Sequence, residues 1–193
     1  MKRCLAVLLA CHVMLTALAP GHLNGAQIEG VTFRDECKIG DTRFVLNNVT
    51  LVRYQIVIKA LVAGLYLGEK TKPADLFQDV PKRLELHYFW SLAGKDIVTA
   101  SDKLLVQNLS PAKMTALREK IDLMNSFYED VKAGDRYSLT YIPGKGTELA
   151  LNGKKKGVVP GADFAAAYFT IWFGKKPMDV SMRDELLKPT SSR

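Results

Sequence analysis

From Leu51 to Glu69 the chain reads LVRYQIVIKALVAGLYLGE. At the two-residue period of a strand, its even positions from Tyr54 to Tyr66 are all apolar. Arg53, Gln55 and Lys59 fall on the odd face, which continues as Leu61, Ala63, Leu65 and Leu67. A helix in lipid would scatter these polar groups around its circumference, each charge at mid-membrane costing roughly 2.5–3.5 kcal/mol. The β-branched Val52, Ile56, Val57, Ile58 and Val62 also favour a strand. The pattern predicts one long central strand, packed on one face, with the other face polar at its start and apolar beyond.

The flanking patterns fill in an order of strands, helices, strands, helices. VTF and RFVLNN, around Ile39-Gly40-Asp41, predict a short strand pair, and Pro73 to Gln78 a short helix or turn. Lys82 to Trp90 alternates, with Leu84, Leu86, Tyr88 and Trp90 on one side and Arg83, Glu85, His87 and Phe89 on a wetter one. Ile97, Ala100, Leu104 and Leu105 recur at helical spacing. Ser110 and Pro111 open a second helix as N-cap and first residue, and Met114, Leu117, Ile121, Met124 and Tyr128 form its stripe. A meander follows, turning at Pro143-Gly144 and at Asn152-Gly153, a strong hairpin signal. Ala162 to Phe173 is apolar nearly all round and predicts a buried helix that Gly174 can cap. Ser181 and Asp184 resemble a capping box for a last helix through Leu187. This order implies an α+β fold, a mainly antiparallel sheet with helices layered on one face.

Composition narrows the chemistry. The first residues, MKR, are basic, the run LAVLLACHVMLTALA is uncharged, and no acid occurs before Glu29. Residues 1–26 are expected to be a secretory signal peptide, leaving one domain over residues 27–193, exported to the periplasm or beyond and without a stable membrane span. That segment carries Cys4, Cys11, His12 and His22, so the domain keeps one cysteine, Cys37, and one histidine, His87. A zinc site built from several His and Cys ligands is thereby excluded, and so is an intramolecular disulfide. No other metal or cofactor is expected. The formal charge of the chain is +7, with clusters at Lys154-Lys155-Lys156 and Lys175-Lys176. No aromatic residue interleaves the lysine run, which argues against nucleic acid as a partner.

Several segments carry a family resemblance. LNNVTLVRYQIVIKALVAGLYLGEK resembles the signature strand of the chalcone isomerase-like family, with Arg53, Lys59, Gly64, Tyr66 and Leu67 at its marked positions. LNGK, GVVPGADF and IWFGKKP follow in the same order and spacing as in that family, and the likeness spans roughly residues 27–190. The resemblance implies an open-faced β-sandwich, a curved antiparallel sheet backed by a layer of helices, with a ligand cleft between them. In the plant isomerases such a cleft closes a chalcone to a flavanone, which wants an arginine to hold the nucleophilic oxyanion and hydroxyl donors for the carbonyl. Arg53 matches the arginine. The family's tyrosine and threonine positions fall on Ile97 and Leu61, so no catalytic residue is assigned, and Tyr66 and Tyr88 are the hydroxyls left to substitute.

A second branch of the family resembles fatty-acid-binding proteins, in which the arginine pairs with a carboxylate and the cleft is more apolar. The expected site is therefore Arg53 and Lys59 as a charged head site, Leu61 in the trough, and Tyr66 and Tyr88 as donors. The expected ligand is a small amphiphilic anion such as a fatty acid, bound without turnover. The alternatives are an intramolecular lyase of chalcone isomerase type acting on an unknown enone, and a structural module that binds a protein. The oligomeric state is not legible.

Overall fold

A computed structural model of the chain describes residues 25–188, Ile56 excepted. The leader expected over residues 1–26 lies outside the described residues but for Gly25 and Ala26, which pair with Arg34 and Phe33. Strands β1 (Gly25–Ile28) and β2 (Val31–Arg34) form a hairpin of their own. The main sheet is an antiparallel meander in strict chain order: β3 (Glu36–Ile39), β4 (Thr42–Tyr54), β5 (Ile58–Gly68), β6 (Lys82–Tyr88), β7 (Arg136–Ile142), β8 (Gly146–Leu151) and β9 (Lys154–Val159). Helices α1 (Gly94–Asn108) and α2 (Pro111–Asn125) lie between β6 and β7. Helices α3 (Ala162–Tyr168), α4 (Thr170–Phe173) and α5 (Val180–Leu186) follow β9. The α+β architecture expected from the sequence is the one observed.

The strand expected from Leu51 to Glu69 is instead the end of β4, a turn, and β5. The turn has Gln55 at φ 48°, and the Val57 N–H donates to the Gln55 carbonyl at 2.7 Å. It contains no Gly, Pro, Asn or Asp, so no breaker marks it in the sequence. The expected pairing of VTF with RFV is also replaced: VTF pairs back onto GAQI, and RFV pairs with ECKI.

Two bulges decide which side chains face where. Leu46 pairs with Tyr66 and Asn48 with Leu65, leaving Asn47 as an extra residue on β4. Val52 pairs with Leu61 and Arg53 with Lys59, leaving Ala60 as an extra residue on β5. Each bulge turns the residues beyond it to the opposite face. Leu61, Ala63, Leu65 and Leu67 therefore face the helices, in one core with Leu84, Leu86 and the apolar stripes of α1 and α2. Beyond Ala60, Ile58 takes that face and Lys59 takes the other.

The other face is covered by the β1–β2 hairpin. Phe33, fully buried, lies on Gly64, where an added Cβ would stand 2.5 Å from the ring. The face of β6 expected to be wet is thereby closed over. Glu85 is only 8% exposed and accepts from Arg83 at 2.9 Å and from Arg136 at 3.0 Å. The Arg136 guanidinium stacks 4.6 Å from the centre of the Phe33 ring.

The helix ends follow local chemistry. The Ser110 hydroxyl accepts from the Lys113 N–H at 3.3 Å, with Pro111 next, as the sequence predicts. The helix expected over 162–173 comes in two pieces, α3 and α4, joined at Phe169. Gly174 ends it in extended backbone, and glycine is favoured there by a close approach, since a Cβ would stand 2.6 Å from the Thr170 carbonyl oxygen. For α5 the cap is Asp179, not Ser181: its carboxylate accepts from the Met182 N–H at 2.6 Å.

Candidate functional site

Between the helix-facing side of the sheet and α1 lies a cavity of about 480 Å³, within the range of small-molecule sites. The floor is the alternate row Leu84, Leu86 and Tyr88 of β6, with Leu61 beside it and Tyr137 and Leu139 of β7 beyond. Helix α1 supplies one wall because Ile97, Ala100, Ser101 and Leu104 recur at three and four residues and so share a face. Ile171 and Trp172 of α4 supply another. The exposed large members of the lining are Tyr54, Trp90, Leu92 and Met178, so the cavity opens between them.

Every side chain in this lining is uncharged. The polar groups are phenols, Ser101 and two indoles. Tyr168 donates to the Tyr128 hydroxyl at 3.2 Å, and Tyr137 is tied to the Glu129 backbone, donating to its carbonyl at 3.0 Å and accepting from its N–H at 2.8 Å. Among the described residues the Tyr88 hydroxyl meets no hydrogen-bond partner. Burial pushes Tyr88, Tyr128 and Tyr168 well above the usual phenol range, so these groups are donors and not bases at neutral pH. Among the described residues no group of three or more His, Cys, Asp or Glu stands together to hold a metal ion.

The five residues expected at the site are divided between the two faces. Leu61 and Tyr88 line the cavity. Arg53 and Lys59 are cross-strand partners on the opposite face, about half exposed, and both turn to Glu29 in the β1–β2 turn, Lys59 at 2.5 Å and Arg53 at 3.8 Å. The bulge at Ala60 is the physical reason: without it Lys59 would share the face of Leu61. Tyr66 is 2% exposed and packs with Phe33 and Phe44 on the hairpin side. The charged end and the apolar trough therefore do not meet. Tyr54, Trp90, Tyr128 and Trp172 also line the cavity and are not among the five residues expected at the site, although Trp90 stands in phase with Leu84, Leu86 and Tyr88.

A sequence model of the chalcone isomerase-like family matches residues 25–188. Among solved structures, a crystal structure of a fatty-acid binding protein of Arabidopsis thaliana superposes with a TM-score of 0.60. It is 17% identical, with 82% of this chain and 92% of that chain covered. At this identity the likeness is one of fold. No curated protein matches the sequence.

Proposed function

The chain belongs to the chalcone isomerase-like family, and we propose that its cavity holds the apolar chain of a small fatty-acid-like amphiphile without transforming it. The observation that carries this reading is a hollow of about 480 Å³ whose lining has no charged side chain and whose large exposed members are Tyr54, Trp90, Leu92 and Met178. A carboxylate buried there would lie unpaired, at a cost of several kcal/mol. The ligand accordingly enters tail first and leaves its anionic head in water at the lip. The fatty-acid binding of the Arabidopsis protein agrees with this assignment. The basic and apolar residues at the N-terminus extend the proposal to an exported protein, checked by the N-terminal mass of the mature chain.

Calorimetric titration with a medium-chain fatty acid tests the reading. Ala100 is an exposed member of the lining, so Ala100→Trp narrows the entrance without entering the core and is expected to weaken binding by about tenfold or more. Arg53→Ala is expected to leave the affinity within about twofold, since that side chain is on the other face. Failure of the wild-type chain to bind, or indifference to Ala100→Trp, contradicts the assignment.

One observation favours a second reading, an isomerase of chalcone type: the Tyr88 hydroxyl is free to donate to a ligand carbonyl. That chemistry also needs a cation beside the nucleophilic oxygen, and the lining supplies none. Turnover of a chalcone seen by absorbance and lost in Tyr88→Phe would decide for it.

A further inference from the structure

Ten large apolar side chains are exposed among the described residues; Val45, Phe77, Val106, Leu123 and Val180 stand on separate elements, and the other five gather in one place. Tyr54, Val57, Trp90, Leu92 and Met178 are exposed by 62, 75, 58, 41 and 41%. Four of them form the cavity mouth, and Val57 stands in the turn of the β4–β5 tip beside it. Single exposed apolar residues are ordinary, but a contiguous set marks a contact surface. The Trp90 indole N–H donates to the Lys59 carbonyl at 2.7 Å, which fixes the ring at the lip.

The same segments are basic. Arg53 and Lys59 flank the tip and Lys95 follows Leu92, while Lys175 and Lys176 stand farther back, where the Lys176 backbone bonds to Asn108 at the end of α1; all five are exposed. The acids at these segments are Glu29, shared by Arg53 and Lys59, with Asp96, with Asp130, whose carboxylate accepts from the Gly94 N–H at 2.9 Å, and with Asp179, engaged as the cap of α5. Asp130 and Asp179 are engaged as backbone acceptors, and counting the two lysines set back at Asn108 the cations exceed the acids five to four. Aromatic side chains at the apex with cations set back from them match the boundary of an anionic bilayer, where indole and phenol rings sit at headgroup depth. We propose that the protein docks mouth first on the surface of an anionic lipid bilayer. The cavity would then open directly onto acyl chains, and an apolar ligand would pass between bilayer and protein without crossing water.

The test reads Trp90 itself, so the apolar N-terminal run of the full chain cannot imitate the result. Trp172→Phe leaves Trp90 as the one indole of the two in the chain. With vesicles containing brominated phosphatidylglycerol, its emission is expected to shift to the blue and to be quenched. Val57→Asp is expected to weaken this severalfold, and Arg53→Gln with Lys59→Gln to weaken it at low salt and to leave it less sensitive to added salt than in the wild type. Should Trp172→Phe lose its circular dichroism, slowed hydrogen exchange at residues 53–59 of the wild-type chain on the same vesicles is the equivalent readout. An unshifted Trp90 in the presence of vesicles overturns the proposal, as does equal quenching on neutral phosphatidylcholine. A dimer in light scattering that Val57→Asp dissolves also overturns it, by giving the lip to a second copy of the chain. Fatty-acid titration in solution is independent of these outcomes, so failure to dock leaves the ligand-binding reading to its own test.

Discussion

At the scale of single residues, Lys82 is the least expected feature of the core. It is fully buried on the helix side of β6, donates to the Gln78 carbonyl at 2.8 Å, and lies 4.7 and 5.6 Å from the ring centres of Tyr141 and Phe169. Burial lowers it from the ordinary lysine value of 10.5 to about 8, with the Asp79 carboxylate opposing. The sign of the linkage follows. The unfolded chain binds this proton more tightly, so the folded state is penalised below pH 8, and the penalty lifts as pH rises from 8 towards 10.5. Between about pH 7 and pH 9.5 the gain from this group is about 2 kcal/mol. Above pH 10 the tyrosines reverse the trend, because Tyr66, Tyr88, Tyr128 and Tyr168 resist ionisation when folded and lose that advantage once the unfolded phenols ionise. Urea midpoints across this range should therefore rise and then fall. Lys82→Met should flatten the rising limb and be more stable than the wild type at pH 7, by an amount that shrinks towards pH 9.5. A wild-type midpoint that stays level from pH 7 to 9.5 would refute the burial argument. Nothing local marks this burial: Lys82 stands at the head of an alternating strand, where a lysine is ordinarily solvated, and only the docking of Phe169 and Tyr141 closes it in.

Among the elements, the β1–β2 hairpin and the bulges do most to set the geometry. Phe33 rests on Gly64 with no room for a side chain between them. Gly64→Ala is expected to push the hairpin outward and cost about 1–3 kcal/mol, and Phe33→Leu, destabilising alone, should recover part of that loss in the double variant. Chemical denaturation of the four proteins gives the coupling, and strictly additive effects would contradict the contact. The bulge at Asn47 fastens the end of α5 to β4. Asn47 Nδ2 donates to the carbonyls of Leu186 and Lys188 at 2.6 and 3.0 Å, and Asn48 Nδ2 donates to that of Glu185 at 2.9 Å. Elements with strong local chemistry were legible in advance. The cap and stripe of α2 are of this kind, as is the Asn152-Gly153 turn with φ 51° and 76°. The turn at Gln55–Val57 was not legible, because an apolar β-branched run reads alike as one strand or as two strands and a bend.

On the scale of the whole molecule, one sheet separates two differently built faces: an apolar cavity under helices, and a charged network with Arg53 and Lys59 under a hairpin. If the cavity takes acyl chains tail first, affinity should rise about fourfold per added methylene, from about 0.8 kcal/mol of apolar transfer each, and level off once the cavity is full. Calorimetry over a series of saturated fatty acids checks this, and an affinity indifferent to chain length would place the binding elsewhere. The fold class, the order of elements and the apolar rows that floor the cavity are properties of periodicity along the chain, and periodicity is a local quantity that the amino-acid sequence carries by itself. The face on which a side chain emerges is different in kind. It depends on how many residues stand between it and its neighbour across the sheet, and one unpaired residue, Ala60, was enough to send Lys59 away from the trough that Leu61 enters. Strand pairing decided that count, and pairing exists only in the folded molecule.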